Sequence, residues 1–176
     1  MKIIPRIDIN FKPGYGLAEP VYIYPESTIV YGPWSMLKNM TSVYTEAVSY
    51  KNVDSKINSK ITLLTRQGLS YDITSSFVFL DVQKIVDMDI NELPVKINDV
   101  PKDREVVILP NKLSIGVRGG IDILGKITPD QFKITVNYRN IVLDTLGSVQ
   151  PYIELPKNIL LIYSKPERRR YIIKKY

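Results

Sequence analysis

The sequence predicts a mainly β fold made of two tandem small domains, each with one short helical turn. Apolar and polar residues alternate with a period of two through several segments, which is typical of strands with one buried face. Twelve prolines and nine glycines interrupt the chain at spacings typical of turns. Residues 24–53 and 109–141 resemble each other, which indicates that a unit the size of a small domain occurs twice.

The similarity between these two segments depends on matched prolines and one matched strand. Pro25 corresponds to Pro110. The hexapeptide VSYKNV at residues 48–53 corresponds to VNYRNI at residues 136–141. Because tandem copies more often present a surface than build one asymmetric reaction centre, the duplication favours a binding role.

A short acidic stretch separates the two predicted domains, which we place at residues 1–88 and 89–176. The stretch contains three acidic side chains, Asp87, Asp89 and Glu92. A calcium loop would need more carboxylates and a glycine at a fixed position. We therefore predict a solvated, tight hinge at residues 87–92.

Strands are expected wherever the alternation is clear. The first case is Ile7, Ile9 and Phe11, which alternate with polar neighbours. Isoleucine, valine, tyrosine and threonine are abundant, and these residues favour strands. In chain order the expected strands are residues 7–11, 69–73, 76–82, 84–90, 113–117, 132–138, 149–155 and 169–175.

Helical signal is confined to two short places. Pro33 at a first helical position predicts one or two turns over residues 33–40. A second turn is expected at residues 120–125, where the sequence GIDILGK also matches the start of a phosphate-binding loop. Ile127 replaces the serine or threonine that would bind magnesium, so a structural turn with a short helix is the preferred interpretation.

The chain contains neither histidine nor cysteine. It therefore cannot form a Ser-His-Asp triad, a Cys-His pair or a standard zinc site. We expect a protein that is not an enzyme, with no catalytic residue, metal or other cofactor. A carboxylate-based enzyme acting on cell-wall glycans stays open, because the sequence does not show which acidic residues meet in space.

The net charge of +6 is concentrated at the C-terminus. Residues 165–176 carry six basic residues and one acidic residue, while the remaining chain is nearly neutral. Bases in this segment could bind RNA or lipid headgroups. The preferred interpretation is an edge strand at residues 169–175 whose charges deter aggregation.

Aromatic residues and the basic segment supply the candidate partner contacts. Tryptophan and several tyrosines lie in the first half, and an exposed face shared by several of them would be the best contact surface. The candidate contact residues are Tyr31, Trp34, Tyr44, Arg168, Arg169 and Arg170.

Several short motifs resemble the YbbR-like domain family, which occurs in tandem copies. Each half has a strand that begins at a proline and ends in a V-x-G-P or V-x-G-G turn, at residues 25–33 and 110–120. A short helical turn, a threonine-containing stretch and a strand ending in Tyr50 or Tyr138 follow. Residues 155–159, LPKNI, fit the approach of this family to its last strands.

The resemblance implies a fold of small β domains with crossed strands and no catalytic residues. It also implies tandem domains held outside the cytoplasm by a membrane anchor, where they modulate a membrane diadenylate cyclase. The chain has no apolar run of membrane-spanning length, so we expect a fragment whose anchor and export signal are missing.

Two functions follow from the resemblance. The first is a regulatory or scaffold ectodomain that binds a protein partner, the cyclase being the implied one, with no DNA contact and no membrane contact except through the missing anchor. The alternative is RNA binding, by analogy with the related β domain of a ribosomal protein that binds 5S ribosomal RNA.

Overall fold

The computed structural model describes residues 1–176 and is mainly β, as predicted, with 57% strand and 10% helix. The chain forms two compact units, Met1–Ile85 and Val86–Tyr176. Each unit has its own hydrophobic core. None of the helices is long and apolar enough to cross a membrane.

The first unit contains short and long strands around one helical turn. One strand, β9, begins in this unit and continues beyond it. In chain order the elements are β1 (Lys2–Phe11), β2 (Tyr15–Leu17), β3 (Tyr22–Tyr24), β4 (Val30–Tyr31), α1 (Trp34–Leu37), β5 (Ser42–Val53), β6 (Ile57–Thr62), β7 (Ser70–Tyr71), β8 (Ser75–Leu80) and β9 (Val82–Pro94).

The core of the first unit lies beneath a parallel pair formed by β1 and β5. Ile3 pairs with Val43 and Ile7 pairs with Val48 in this register. The alternation that predicted β1 places Ile7 and Ile9 against the core. The other sheets are β3-β8-β6 and the short pair β4-β7, while β2 pairs with the start of β9.

The second unit contains more helix than the first. Its elements are β10 (Lys96–Asn98), β11 (Arg104–Leu109), β12 (Lys112–Gly120), α2 (Ile121–Leu124), a 3-10 turn (Pro129–Gln131), β13 (Lys133–Asn137), α3 (Tyr138–Leu143), β14 (Ser148–Val149), β15 (Tyr152–Glu154), β16 (Leu160–Lys165) and β17 (Arg169–Lys175).

The sheets of the second unit enclose two apolar clusters. One cluster surrounds Leu113, Ile115 and Val117 of β12, which lies between β16 and β9. The other contains Ile108 and Ile141 and lies beside the sheets β11-β17-β14 and β10-β13-β15.

The same strand-pairing pattern occurs in both units. A parallel pair is present in each, β1 with β5 and β10 with β13. In each unit the strand that ends at the residue before Pro25 or Pro110 pairs antiparallel with a late strand, β8 or β17. The late strand is the central strand of a three-stranded sheet in both cases. The carbonyl oxygens of these prolines accept hydrogen bonds from buried side chains of the late strand, Ser76 and Arg169.

Two local predictions differ from the structure. The stretch predicted as a hinge is part of β9, where polar Asp87 and Asp89 alternate with partly or fully buried Val86, Met88 and Ile90. The predicted boundary between residues 88 and 89 lies inside the same strand. Alternation of charged with apolar residues is compatible with a strand as well as with a solvated linker. Pairing with β12 favours the strand.

The matched hexapeptides also adopt different structures. Residues 48–53 lie in β5, whereas β13 ends at Asn137 and α3 begins at Tyr138. The side-chain oxygen of Asn137 accepts a hydrogen bond from the backbone N–H of Arg139 at 2.9 Å, a helix-capping contact that stabilises the start of α3. The prediction of one helical turn per domain therefore holds for the first unit, while the second has α2, α3 and the 3-10 turn.

Gly116 of β12 lies against the ring of Tyr163 on β16. A Cβ atom at this position would collide with the ring, whereas a Cβ at Gly119 in the same strand would make ordinary contacts at 3.5 Å. The Tyr163 hydroxyl also donates a hydrogen bond to Asp89, which limits movement of the ring.

We expect Gly116→Ala to lower the free energy of unfolding of the second unit by about 1–3 kcal/mol, because the added methyl group overpacks this contact. Gly119→Ala is the matched control and should change it much less. Chemical denaturation of both variants measures the difference. Equal destabilisation would contradict the proposed contact.

Candidate binding surfaces

Four aromatic side chains share one exposed face of the sheet β3-β8-β6. Tyr22 lies opposite Phe79, and Tyr24 lies opposite Phe77, in the register of β3 and β8. The rings of Tyr22 and Phe79 are 5.7 Å apart and tilted by 40°. All four side chains are exposed, from 37% for Phe79 to 60% for Tyr24. The alternate residues, including Val78, face the core, so the period of the strand itself directs the four rings outward. We call Tyr22, Tyr24, Phe77 and Phe79 the aromatic face.

The third strand of this sheet borders the aromatic face with polar side chains. Lys60 lies opposite Phe77 and Asn58 lies opposite Phe79, and both are exposed. Apolar rings bordered by hydrogen-bonding groups are the usual composition of a protein-binding surface. Large exposed aromatic side chains that lie together are uncommon on a protein with no partner.

A groove extends the aromatic face toward β1. It has a volume of about 410 Å³ and is lined by Tyr22 and Ile23 of β3 and by Ile3, Ile4 and Pro5 of β1, among others. Tyr22 belongs to both features, so an apolar side chain of a partner could enter the groove while its neighbours contact the aromatic face.

The aromatic contact residues predicted from sequence lie on three separate elements. Tyr31 is on β4, Trp34 is on α1 and Tyr44 is on β5. All three are exposed, Trp34 by 77%. Their role as partner contacts stays a prediction, while the cross-strand aromatic pairing of the structure occurs at Tyr22 and Phe79 instead.

Arg168 is exposed but is already bound within the second unit. Its guanidinium lies 3.6 Å from a carboxylate oxygen of Asp144 and donates hydrogen bonds to the hydroxyl and the carbonyl oxygen of Ser148. Asp144 also accepts hydrogen bonds from the Tyr171 hydroxyl at 3.0 Å and from the backbone N–H of Ser148 at 2.9 Å. Arg168 therefore stabilises the turn that leads into β14.

The inclusion of Arg169 among the surface contacts is wrong, because its side chain is fully buried. One guanidinium nitrogen donates to the carbonyl oxygen of Pro110, and two others, Nε and one Nη, have no hydrogen-bond partner. Burial lowers the pKa of Arg169 from its usual value. An arginine within a basic run normally points to solvent, but residue 169 is the first residue of β17 and its side chain faces the core side of the sheet.

Arg170 is exposed, and the strand predicted at residues 169–175 is confirmed as β17. Arg170 lies opposite Leu109 of β11. Leu109, Val107 and Ile172 occupy the positions in this sheet that Tyr24, Tyr22 and Phe79 occupy in the first unit. The second unit thus has an aliphatic and basic surface where the first has the aromatic face.

The three acidic residues of β9 contact three different partners. Asp87 binds Arg118 through two hydrogen bonds at 2.7 and 2.9 Å, and this arginine lowers the pKa of Asp87. Asp89 accepts a hydrogen bond from Tyr163, while Glu92 is 3.2 Å from Lys112. No group of three or more acidic residues lies together in a way that could hold a metal ion.

A second cavity, of about 460 Å³, lies in the second unit. Its lining includes buried Leu93, Phe132 and Ile134 together with Glu92 and Asp130. The Glu92 carboxylate is paired with Lys112. The cavity therefore contains two carboxylates, one of them already paired, and the glycan-hydrolase function stays a hypothesis.

Sequence reasoning singled out tyrosines of the first half but missed Phe77 and Phe79. The alternation SSFVFL at residues 75–80 was a usable signal, since a strand that buries Val78 must direct both phenylalanines to the other face. What the sequence did not show is that β3 is the neighbour of β8, because the two strands are more than fifty residues apart.

We expect the contribution of Asp144 to stability to disappear in acid. Burial raises the pKa of Asp144, but hydrogen bonds from the backbone of Leu146, from Tyr171 and from the backbone of Ser148 outweigh this effect, so the pKa lies below the usual value of an aspartate. A carboxyl whose pKa is lower in the folded state than in the unfolded state stabilises the fold at pH values above its unfolded-state pKa. This stabilisation is lost as the pH falls through the folded-state pKa.

The comparison is between wild type and Asp144→Asn, unfolded with denaturant from pH 7 to pH 2. The variant should be less stable near neutral pH, and the difference should shrink below about pH 4. Glu154→Gln, at an exposed position of β15 in the same unit, is the control. A difference that does not depend on pH would contradict the assigned role.

We expect Arg169→Met to raise the free energy of unfolding of the second unit by about 1–3 kcal/mol, because it removes a buried charge that has no carboxylate partner while keeping side-chain volume. Arg170→Met, on the exposed face, should change it by less than about 0.5 kcal/mol. Thermal and chemical unfolding test both variants. A clear loss of stability in Arg169→Met would show that the guanidinium stabilises the fold.

No family model matches the chain. No curated protein matches it either. Among solved structures, the chain is similar to a YbbR-like protein from Streptococcus pneumoniae, with 14% sequence identity and a TM-score of 0.37 over 97% of this chain and 91% of that chain. A likeness at this TM-score carries no argument for the function of the chain.

Proposed function

We propose that the chain is a non-catalytic binding module that contacts a protein partner through the aromatic face of its first unit. The observation that carries this proposal is the set of four exposed rings in two cross-strand pairs. Aromatic side chains provide large contact areas and lose little conformational freedom on binding, which is why they dominate the energetics of many interfaces.

The position of the rings on strands, rather than on loops, supports the same function. Strands β3 and β8 are backed by the buried Ile23 and Val78, so the rings project from packed elements. A preorganised surface avoids part of the ordering cost of association. The groove beside Tyr22 adds a concave site into which one apolar partner side chain could fit.

The family resemblance of the sequence motifs supplies the biological setting of this proposal. In that setting the chain is part of a membrane-anchored bacterial protein, lies on the outer side of the cytoplasmic membrane, and modulates a membrane diadenylate cyclase. The short motifs at residues 25–33, 110–120 and 155–159 support the setting, and the cyclase is the partner to test first.

RNA binding is the second candidate, and one observation favours it. Lys60 lies opposite Phe77 on the aromatic face, and a cation beside exposed rings suits stacked bases and a phosphate. The basic C-terminal segment contributes less than the sequence suggested, because Arg168 is paired and Arg169 is buried.

We expect the double variant Tyr24→Ser/Phe77→Ser to weaken binding to a purified membrane diadenylate cyclase by about tenfold or more, because it removes one cross-strand aromatic pair from the interface. The matched control is Tyr152→Ser/Leu160→Ser, which removes two exposed apolar side chains of strands in the second unit. Affinity is measured by biolayer interferometry, and synthesis of cyclic di-AMP is followed in parallel.

Equal affinity of the two double variants would overturn the role of the aromatic face. No binding of the wild-type chain to the cyclase would remove the cyclase as the partner. Salt-dependent binding of single-stranded RNA that is lost in Lys60→Ala would instead favour the second candidate.

A further inference from the structure

The second unit has an open strand edge at a place where the first unit has a covered one. In the first unit, β6 pairs with β8 along six residues, from Ser75 to Leu80. In the second unit, β14 pairs with the corresponding strand β17 at two residues, Arg169 and Arg170. Residues 171–175 of β17 therefore have a neighbour, β11, on one side and no strand on the other.

The backbone groups at this edge can be identified from the hydrogen-bond alternation. The N–H of Tyr176 donates to the carbonyl oxygen of Asp103 on the β11 side at 3.1 Å. In an antiparallel pair every second residue bonds to the same neighbour, so residues 174 and 172 also bond toward β11. The N–H and C=O groups of Ile173 and Lys175 therefore point to the open edge.

The first unit shows what such an edge accepts. The N–H of Leu63 donates to the carbonyl oxygen of Thr74 at 2.8 Å, so by the same alternation Val78 and Leu80 direct their backbone groups toward β6. Leu80 follows Ser76 in β8 at the same spacing as Ile173 follows Arg169 in β17. Because Ser76 and Arg169 are equivalent residues, Leu80 and Ile173 occupy equivalent positions. An antiparallel strand beside Ile173 would complete in the second unit the pairing that β6 provides in the first.

The second unit has no equivalent of β6 because α3 occupies its place in the chain. In the first unit, β5 continues to Val53 and turns directly into β6. In the second, Asn137 caps α3, and the Asp144 carboxylate then holds the backbone N–H groups of Leu146 and Ser148 in a turn. The chain leaves this turn as the two-residue strand β14, which is too short to cover β17.

Charge determines which strand suits this edge. β17 contains four basic residues and no acidic one. Pairing of two copies of β17 would bring cations together across the new ladder, which is unfavourable, and lysines on an edge strand are a known protection against such pairing. An acidic strand would instead place carboxylates beside Lys175 and beside Lys174, which are both exposed; the ammonium of Lys174 lies 3.9 Å from Glu105 of β11.

We infer that the open edge of β17 binds an extended acidic segment of a partner protein, which adds to the sheet β11-β17-β14 as an antiparallel strand. Backbone hydrogen bonds to Ile173 and Lys175 supply the pairing, and the lysine side chains select acidic segments. This binding site is independent of the aromatic face of the first unit.

The test uses the 176-residue chain and two synthetic eight-residue peptides, one alternating valine with glutamate and one alternating valine with lysine. Amide hydrogen exchange, read residue by residue by NMR, should slow by about tenfold or more at Ile173 and Lys175 when the acidic peptide is added. Amides that point toward β11, such as that of Ile172, should change much less.

Two kinds of variant separate backbone pairing from charge. Lys175→Pro removes an N–H from the open edge without removing a hydrogen bond to β11, so it should abolish the protection of Ile173 while the fold, followed by circular dichroism, is kept. Lys175→Gln removes the same charge but keeps the N–H, so it should weaken the protection without abolishing it. Lys174→Glu should weaken binding of the acidic peptide by about tenfold, whereas Lys157→Glu, the same change on an exposed loop, should not.

Three results would overturn the inference. The first is no protection by the acidic peptide at millimolar concentration. The second is equal binding of the lysine peptide, which would show no charge selection. The third is protection that grows with protein concentration in the absence of peptide, which would make a second copy of the chain the occupant.

Discussion

Backbone pairing along one late strand in each unit is the constraint on which the other features depend. β8 and β17 are central strands, so their backbone groups need partners on both sides. The first unit satisfies β8 with β3 and with the full length of β6. Pairing on both sides of residues 77–79 holds Phe77 and Phe79 on a supported surface. In the second unit, β11 pairs with β17 along one side at residues 170–175, whereas β14 pairs with the other side at only two residues, Arg169 and Arg170.

Residues at the start of these late strands, Ser76 and Arg169, show how one contact can be made at very different cost. Ser76 donates its hydroxyl to the Pro25 carbonyl oxygen at 3.1 Å, and a buried hydroxyl with a partner is inexpensive. Arg169 makes the corresponding contact with Pro110 but buries a whole guanidinium with it. The second unit therefore carries a desolvation penalty that the first avoids.

The sequence predicted those features that depend on neighbours along the chain. The strand at residues 169–175 and the isoleucines of β1 were visible because alternation is a local signal. The difference between residues 48–53 and 136–141 was not, because the similar hexapeptides do not show that the Asn137 side chain accepts a hydrogen bond from the backbone N–H of Arg139 and caps a helix. Strand neighbours such as β3 and β8 were beyond sequence reasoning, since pairing across fifty residues leaves no local pattern. For the same reason the sequence indicated tyrosines as contacts but not the phenylalanines that lie opposite them.

The parallel pair β1-β5 has a consequence for biosynthesis. Residues 2–11 pair with residues 42–53, and β3 pairs with β8, so the first unit depends on contacts between distant parts of the chain. Such non-local topologies form slowly because long loops must close before the contacts stabilise them. On the ribosome, β1 emerges before β5 and β3 emerges before β8, so the isoleucines of β1 stay unpaired until residue 53 has left the exit tunnel and the tyrosines of β3 until residue 80 has done so. During that interval these strands are open to non-native contacts.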